Sequence, residues 1–102
     1  MEKIINIVTE VTGVKQEDII AKRGSIDVQE ARMLFFMLAR DAGYSDYDVA
    51  RYINRTQVSV WKTRKYAEEY AQLNRSFNIK VVKALSKLYL SSEINDIAEN
   101  SI

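Results

Sequence analysis

Five cations, Arg51, Arg55, Lys62, Arg64 and Lys65, stand within residues 51–65 with no acid among them. Guanidinium and ammonium groups at that density neutralise phosphates, so the chemistry the stretch offers first is binding to a polyanion. A second basic element, Lys22-Arg23-Gly24-Ser25, lies further up the chain. The formal net charge is only +1, because acids collect at Asp41, Asp46 and Asp48 before the stretch and at Glu68 and Glu69 after it. A nearly neutral chain with such a distribution can still present one positive face. The plainer alternative is a solvated helix face.

Other chemistries have little to work with. There is no His and no Cys, so the commonest general base, the commonest metal ligand and any thiolate are missing. A nucleophile drawn from Ser25, Ser45 or Ser59 would need a Lys base, and nothing brackets such a pair. The carboxylates fall mostly at helix starts, where capping accounts for them. Neither an enzyme nor a metal or other cofactor is expected. Zero Cys suits a reducing cytoplasm. No apolar run approaches the ~18 residues of a membrane span, and the N-terminus does not read as a signal peptide.

The 102 residues, 47% of them hydrophobic and 28% charged, fit one compact domain and are too apolar for wholesale disorder. With no Pro and apolar residues at helical spacing nearly throughout, the chain reads as all-α, with five or six helices. The first helix spans about Lys3 to Thr12, with Ile4, Ile5, Val8 and Val11 as its apolar stripe and Gly13 as its stop. A short one follows, about Gln16 to Lys22, with Ile19 and Ile20 turned inward. Asp27-Val28-Gln29-Glu30 has the pattern of a capping box, opening a helix from Val28 to Ala42. Its stretch from Met33 to Ala39 is apolar on every side, which predicts a central helix surrounded by others.

Ser45-Asp46-Tyr47-Asp48 opens a short helix ending at Asn54, and a longer one runs from about Thr56 to Leu73. The longer helix turns Val60, Trp61, Ala67, Tyr70 and Ala71 inward and Lys62 and Lys65 outward. Trp61 also borders the solvent face, although packing on the central helix is the more usual place for it. A last amphipathic helix, about Phe77 to Leu90, sets Val81, Val82, Leu85 and Leu88 against Lys80, Lys83 and Lys87. Residues 1–90 form the domain, and 91–102 read as a polar tail.

Short helix, tight turn, longer basic helix is the layout of a helix-turn-helix. Val49-Ala50 supplies a branched and then a small residue where two helices cross, Ile53 fills the space under the turn, and Val60 packs back beneath the first helix. On that frame Thr56, Gln57, Val58 and Lys62 face base edges of duplex DNA. Gln fits adenine bidentately, and Val suits a thymine methyl. Arg55, Arg64 and Lys65 fall at phosphates or the groove edge. The competing expectation is a protein-interaction module. It would use the C-terminal amphipathic helix and the six tyrosines for a homodimer or a partner protein.

From about Ile4 to Leu88 the chain resembles the C-terminal DNA-binding domain of the bacterial replication initiator DnaA. The resemblance is carried by Val14 through Arg23, by Glu30-Ala31-Arg32 with Leu38-Ala39-Arg40-Asp41, and by Ser45 through Ile53 followed by Arg55-Thr56-Gln57-Val58-Ser59-Val60. It implies a Trp-repressor-like fold with a signature helix in the major groove and a basic loop at the minor groove. By position it places Lys22 and Arg23 in that loop and makes Arg32 a backbone-contacting arginine. It sets Ser45 at a helix N-terminus near phosphate. Arg55 becomes the signature arginine, and Ser59 joins the groove-edge set.

The chain also departs from the family. Thr56-Gln57-Val58-Ser59 replaces Asp-His-Thr-Thr, Gly24 stands where a second loop arginine is expected, Lys62 replaces a histidine, and a glycine of the turn is absent. The initiator's own DNA box is therefore not the expected target. No GxxxxGK[ST] loop exists in the chain, so the expectation is a DNA-binding domain without an ATPase motor, in replication or transcription regulation.

Overall fold

A computed structural model describes the backbone of residues 1–100 and the side chains of residues 1–91. Six helices follow in order: α1 (Glu2–Thr12), α2 (Gln16–Ile20), α3 (Ile26–Asp41), α4 (Asp46–Ile53), α5 (Gln57–Leu73) and α6 (Arg75–Asn100). No strand occurs among the described residues, and the fold is all-α.

Local chemistry sets the helix boundaries. Gly13, at φ 75°, takes the left-handed position that ends α1, and its N–H donates to the Thr9 carbonyl. The capping box at α4 is complete. Ser45 Oγ accepts from the Asp48 N–H at 3.1 Å, and Asp48 Oδ2 accepts from the Ser45 N–H at 3.1 Å. At α3 the cap is Ser25, whose Oγ accepts from the Val28 N–H at 3.3 Å, so the helix starts at Ile26 and Asp27 lies inside its first turn. Asn74 both ends α5 and starts α6: its N–H donates to the Tyr70 carbonyl, and its Oδ1 accepts from the Phe77 N–H at 2.9 Å. The last helix therefore begins before Phe77. The segment read as a polar tail falls within its bounds as far as Asn100, and residues 101–102 lie outside the described residues.

α3 is the central element. It packs against all five other helices, and Leu34, Phe35, Phe36, Leu38 and Ala39 are each at most 1% exposed. α1 and α6 cover one side through Ile4, Ile5, Val8, Phe77 and Ala84, while α4 and α5 cover another through Val49, Ala50, Ile53, Val60 and Ala67. Polar links join the outer helices to this core: Tyr70 Oη donates to Glu30 Oε1 at 3.0 Å, and Lys80 Nζ lies 3.8 Å from the same carboxylate. On α6 the inward stripe is Phe77, Val81, Ala84 and Leu88. Val82, expected to face inward, is one position off that stripe and exposed.

α4, the turn at Asn54–Thr56 and α5 form the expected helix-turn-helix layout. Asn54 is left-handed, with φ 56° and ψ 55°, and the Arg55 N–H reaches back to the Ala50 carbonyl at 2.8 Å. That i to i−5 bond is a Schellman closure, and it turns the chain sharply enough to start α5 two residues later. Ala50 and Val60, buried at 3% and 0%, hold the crossing as their sizes predict.

Candidate nucleic-acid interface

The inward stripe of α5 is Val60, Arg64, Ala67 and Ala71, all buried. An arginine among small apolar residues needs a partner, and Asp46 in the first turn of α4 supplies it. Arg64 Nε donates to Asp46 Oδ1 at 2.8 Å and Nη2 donates to Oδ2 at 2.9 Å, while Nη1 donates to Glu68 Oε1 at 2.7 Å. This fork-to-fork pair clamps the two helices of the motif together. The hydrogen bonds from Arg64 hold the Asp46 carboxyl below the usual carboxylate range against the opposing effect of burial, and the same bonds raise Arg64. Arg64 is thus a buried structural residue, each of its three nitrogens donating to Asp46 or Glu68, where its place in the basic run suggested a phosphate contact.

Arg32 is corrected in the same sense. It is 6% exposed, and its guanidinium donates to the carbonyls of Ile19 at 2.9 Å, Asp18 at 3.1 Å, Arg23 at 3.4 Å, and Ala21. These carbonyls belong to α2 and the loop after it, where helix-end oxygens lack intrahelical partners and carry partial negative charge. Arg55, from the turn before α5, donates to the same place: its Nη2 reaches the carbonyls of Ile20 at 3.4 Å and of Ala21. Two guanidinium groups therefore converge on one short loop. Burial lowers the pKa of both, and for Arg32 the nearby charge of Arg55 lowers it further. The positive charge is held by neutral oxygens and is not cancelled.

At the start of α4, Ser45 has little left to offer a phosphate. Its hydroxyl and N–H are consumed by the capping box, and Asp46 and Asp48 place negative charge at that helix start. Thr56 is the N-cap of α5, its Oγ1 accepting from the Ser59 N–H at 3.1 Å. Its oxygen is committed to the helix, although the side chain is exposed.

The remaining predicted residues do come together. Between the 21–25 loop, α3 and α5 lies an open cleft of about 630 Å³ lined by Lys22, Arg23, Arg32, Arg55 and Lys62, together with Gly24, Gln29, Met33, Thr63 and Tyr66. A second hollow, of about 550 Å³, adjoins it at Lys22, Arg55, Thr56, Ser59 and Asn54. Neither has a carboxylate in its wall. Lys22, Arg23 and Lys62 make no ion pair among the described residues, and Lys65 is 3.7 Å from Glu68. Next to the cleft, Gln57, Val58, Trp61 and Lys65 occupy an adjacent exposed stripe of α5. Trp61, placed inward by its hydrophobicity, is 48% exposed because Val60 takes the core position and the next residue turns about 100° away.

Gly24, where the resemblance expects an arginine, sits so close to Val28 that a Cβ there would overlap that side chain. A larger residue cannot occupy the loop as it is folded. The cleft residues Gln29, Met33, Thr63 and Tyr66 were not foreseen. Thr63 and Tyr66 continue the stripe of Ser59 and Lys62 at intervals of three and four, a spacing that could have found them. No family model and no curated protein matches the sequence.

Proposed function

We propose that this chain is a duplex DNA-binding domain with sequence preference, α5 entering the major groove and the 21–25 loop lying at the adjacent minor groove. The observation that carries this reading is the carboxylate-free cationic cleft beside the exposed start of α5. Its charges are arranged by two different elements, as a phosphate backbone between two grooves requires. Gln57, Val58 and Lys62 face base edges, with Thr56 capping the helix that carries them. Lys22, Arg23 and Lys65 supply phosphate contacts, and Arg55 ties the loop to the turn of the motif. The resemblance to the DnaA C-terminal domain supports the same Trp-repressor-like orientation.

Salt tests the electrostatic half. Three phosphate contacts give a slope of log K against log salt of roughly −3, and Lys65→Ala should flatten it by about one unit. Titration of a labelled duplex between low and near-physiological salt reads both numbers. A slope near zero contradicts the reading.

A second reading rests on α6, where Ile79, Val82, Tyr89 and Leu90 are 48–59% exposed on the side away from the core. That surface suits a homodimer or a partner protein, and association through it would be insensitive to salt.

A further inference from the structure

Val58 and Trp61 stand one turn apart on α5, 60% and 48% exposed, and neither belongs to the buried core. Side chains three residues apart on a helix are neighbours, so the two form one apolar patch. Around it lie Gln57, Lys62 and Lys65, all exposed and none of them acidic. A tryptophan left half in water forgoes much of the 150–250 Å² that an aromatic side chain of its kind buries when covered. The surrounding cations say that what covers it is anionic. The patch itself says that this anion offers an apolar group at the level of α5.

Resting on the DNA reading above, we infer that Val58 and Trp61 read a pyrimidine 5-methyl group in the major groove. On base edges the methyl of thymine is the one apolar feature of that groove, and 5-methylcytosine carries the same group in the same place. Phosphates and sugars hold no comparable feature at the depth of a recognition helix. The loop cations Lys22 and Arg23 hold the backbone beside α5, which leaves Val58 and Trp61 turned to the bases. Trp61 thereby becomes a specificity-determining residue, and the site preferred by the chain carries a methyl-bearing pyrimidine opposite it.

The test uses the full chain and the duplex it enriches from a random library. Each thymine is replaced in turn by deoxyuridine and, with guanine opposite, by cytosine and by 5-methylcytosine, at one salt concentration. At one or two adjacent positions, loss of the methyl should weaken binding about fourfold, as expected for one buried carbon, and 5-methylcytosine in place of thymine should retain contact that cytosine lacks. Trp61→Ala should erase the difference between thymine and deoxyuridine there while leaving the salt slope unchanged, and Trp61→Phe should keep part of it. Thermal melting confirms that these surface variants fold. The emission of this single tryptophan should also become shielded from iodide when DNA binds. Deoxyuridine tolerated everywhere, or Trp61→Ala weakening both duplexes equally, overturns the methyl contact alone. Failure to enrich or bind any duplex overturns the DNA reading itself, and Trp61 shielded instead by an acidic protein would assign the patch to protein binding.

Discussion

Asp46→Ala should lower the stability of the fold by about 3 kcal/mol and its Tm by roughly 12–24 °C, measured by urea and thermal unfolding. The size follows from burial. Asp46 and Arg64 are 7% and 5% exposed, and two aligned hydrogen bonds join them across the α4–α5 contact. Removing the carboxylate leaves a guanidinium inside the motif with only Glu68 as a charged partner, and that uncompensated charge is the main cost. Acid should mimic the substitution. The folded-state pKa of Asp46 is held below its unfolded value, so its contribution is complete above the unfolded value of ~4 and fades as pH falls through the lower folded one. Native protein and Asp46→Asn should therefore converge in stability at low pH and differ most near neutrality. Parallel pH profiles would remove the pair from the account of what holds the motif.

Arg32→Ala is the second large effect, on the order of 3 kcal/mol. The guanidinium satisfies carbonyls at the end of α2 and in the loop, and an alanine leaves at least the Ile19 oxygen buried without it. Arg32→Lys should recover less than half of the loss, because one ammonium cannot reproduce a planar fork pointing at several oxygens. Hydrogen exchange should show the change concentrated in residues 19–24. It should leave α6 untouched, since α2 packs mainly on α3 and α1. The same substitution should weaken DNA binding indirectly, by unfixing Lys22 and Arg23. Uniform loss of protection across the whole chain would mean that Arg32 supports the core at large and not the loop.

These two arginines show where a linear pattern stops informing. The run from Arg51 to Lys65 counts five cations, but folding distributes them differently. Arg64 is buried on Asp46, Arg55 is turned onto backbone oxygens, and Arg51 lies over the Tyr47 ring at 5.8 Å. Only Lys62 and Lys65 of the five stand outward on α5. Carbonyl oxygens occur at every residue, so no sequence signal marks the ones that capture Arg32 and Arg55. Nor does any spacing announce Asp46 and Arg64, which are joined by a helix crossing and not by a helical period.

What was legible rests on local rules. The box at Ser45–Asp48, the left-handed Asn54 and the apolar run in α3 are each written in a few adjacent residues, and each is found where those residues put it. α3 starts two residues earlier than the pattern at Asp27–Glu30 predicts, for an equally local reason. Asp27 and Glu30 have the spacing of a box, but Ser25 reaches the Val28 N–H first, and the resulting first turn leaves Ile26 74% exposed. For Trp61 the sequence leaves both the interior and the solvent face open, and the period of α5 decides for solvent by giving the neighbouring core place to Val60.

Selection from a random duplex library, with the native chain beside a Gln57→Ala/Lys62→Ala variant, tests the central claim most directly. The account predicts that the native chain enriches a defined site and that the variant, folded equally well, loses or alters it, since each base-edge contact is worth about 1–3 kcal/mol of discrimination. No enriched site, with binding weak and indifferent to both substitutions, would contradict DNA reading through α5.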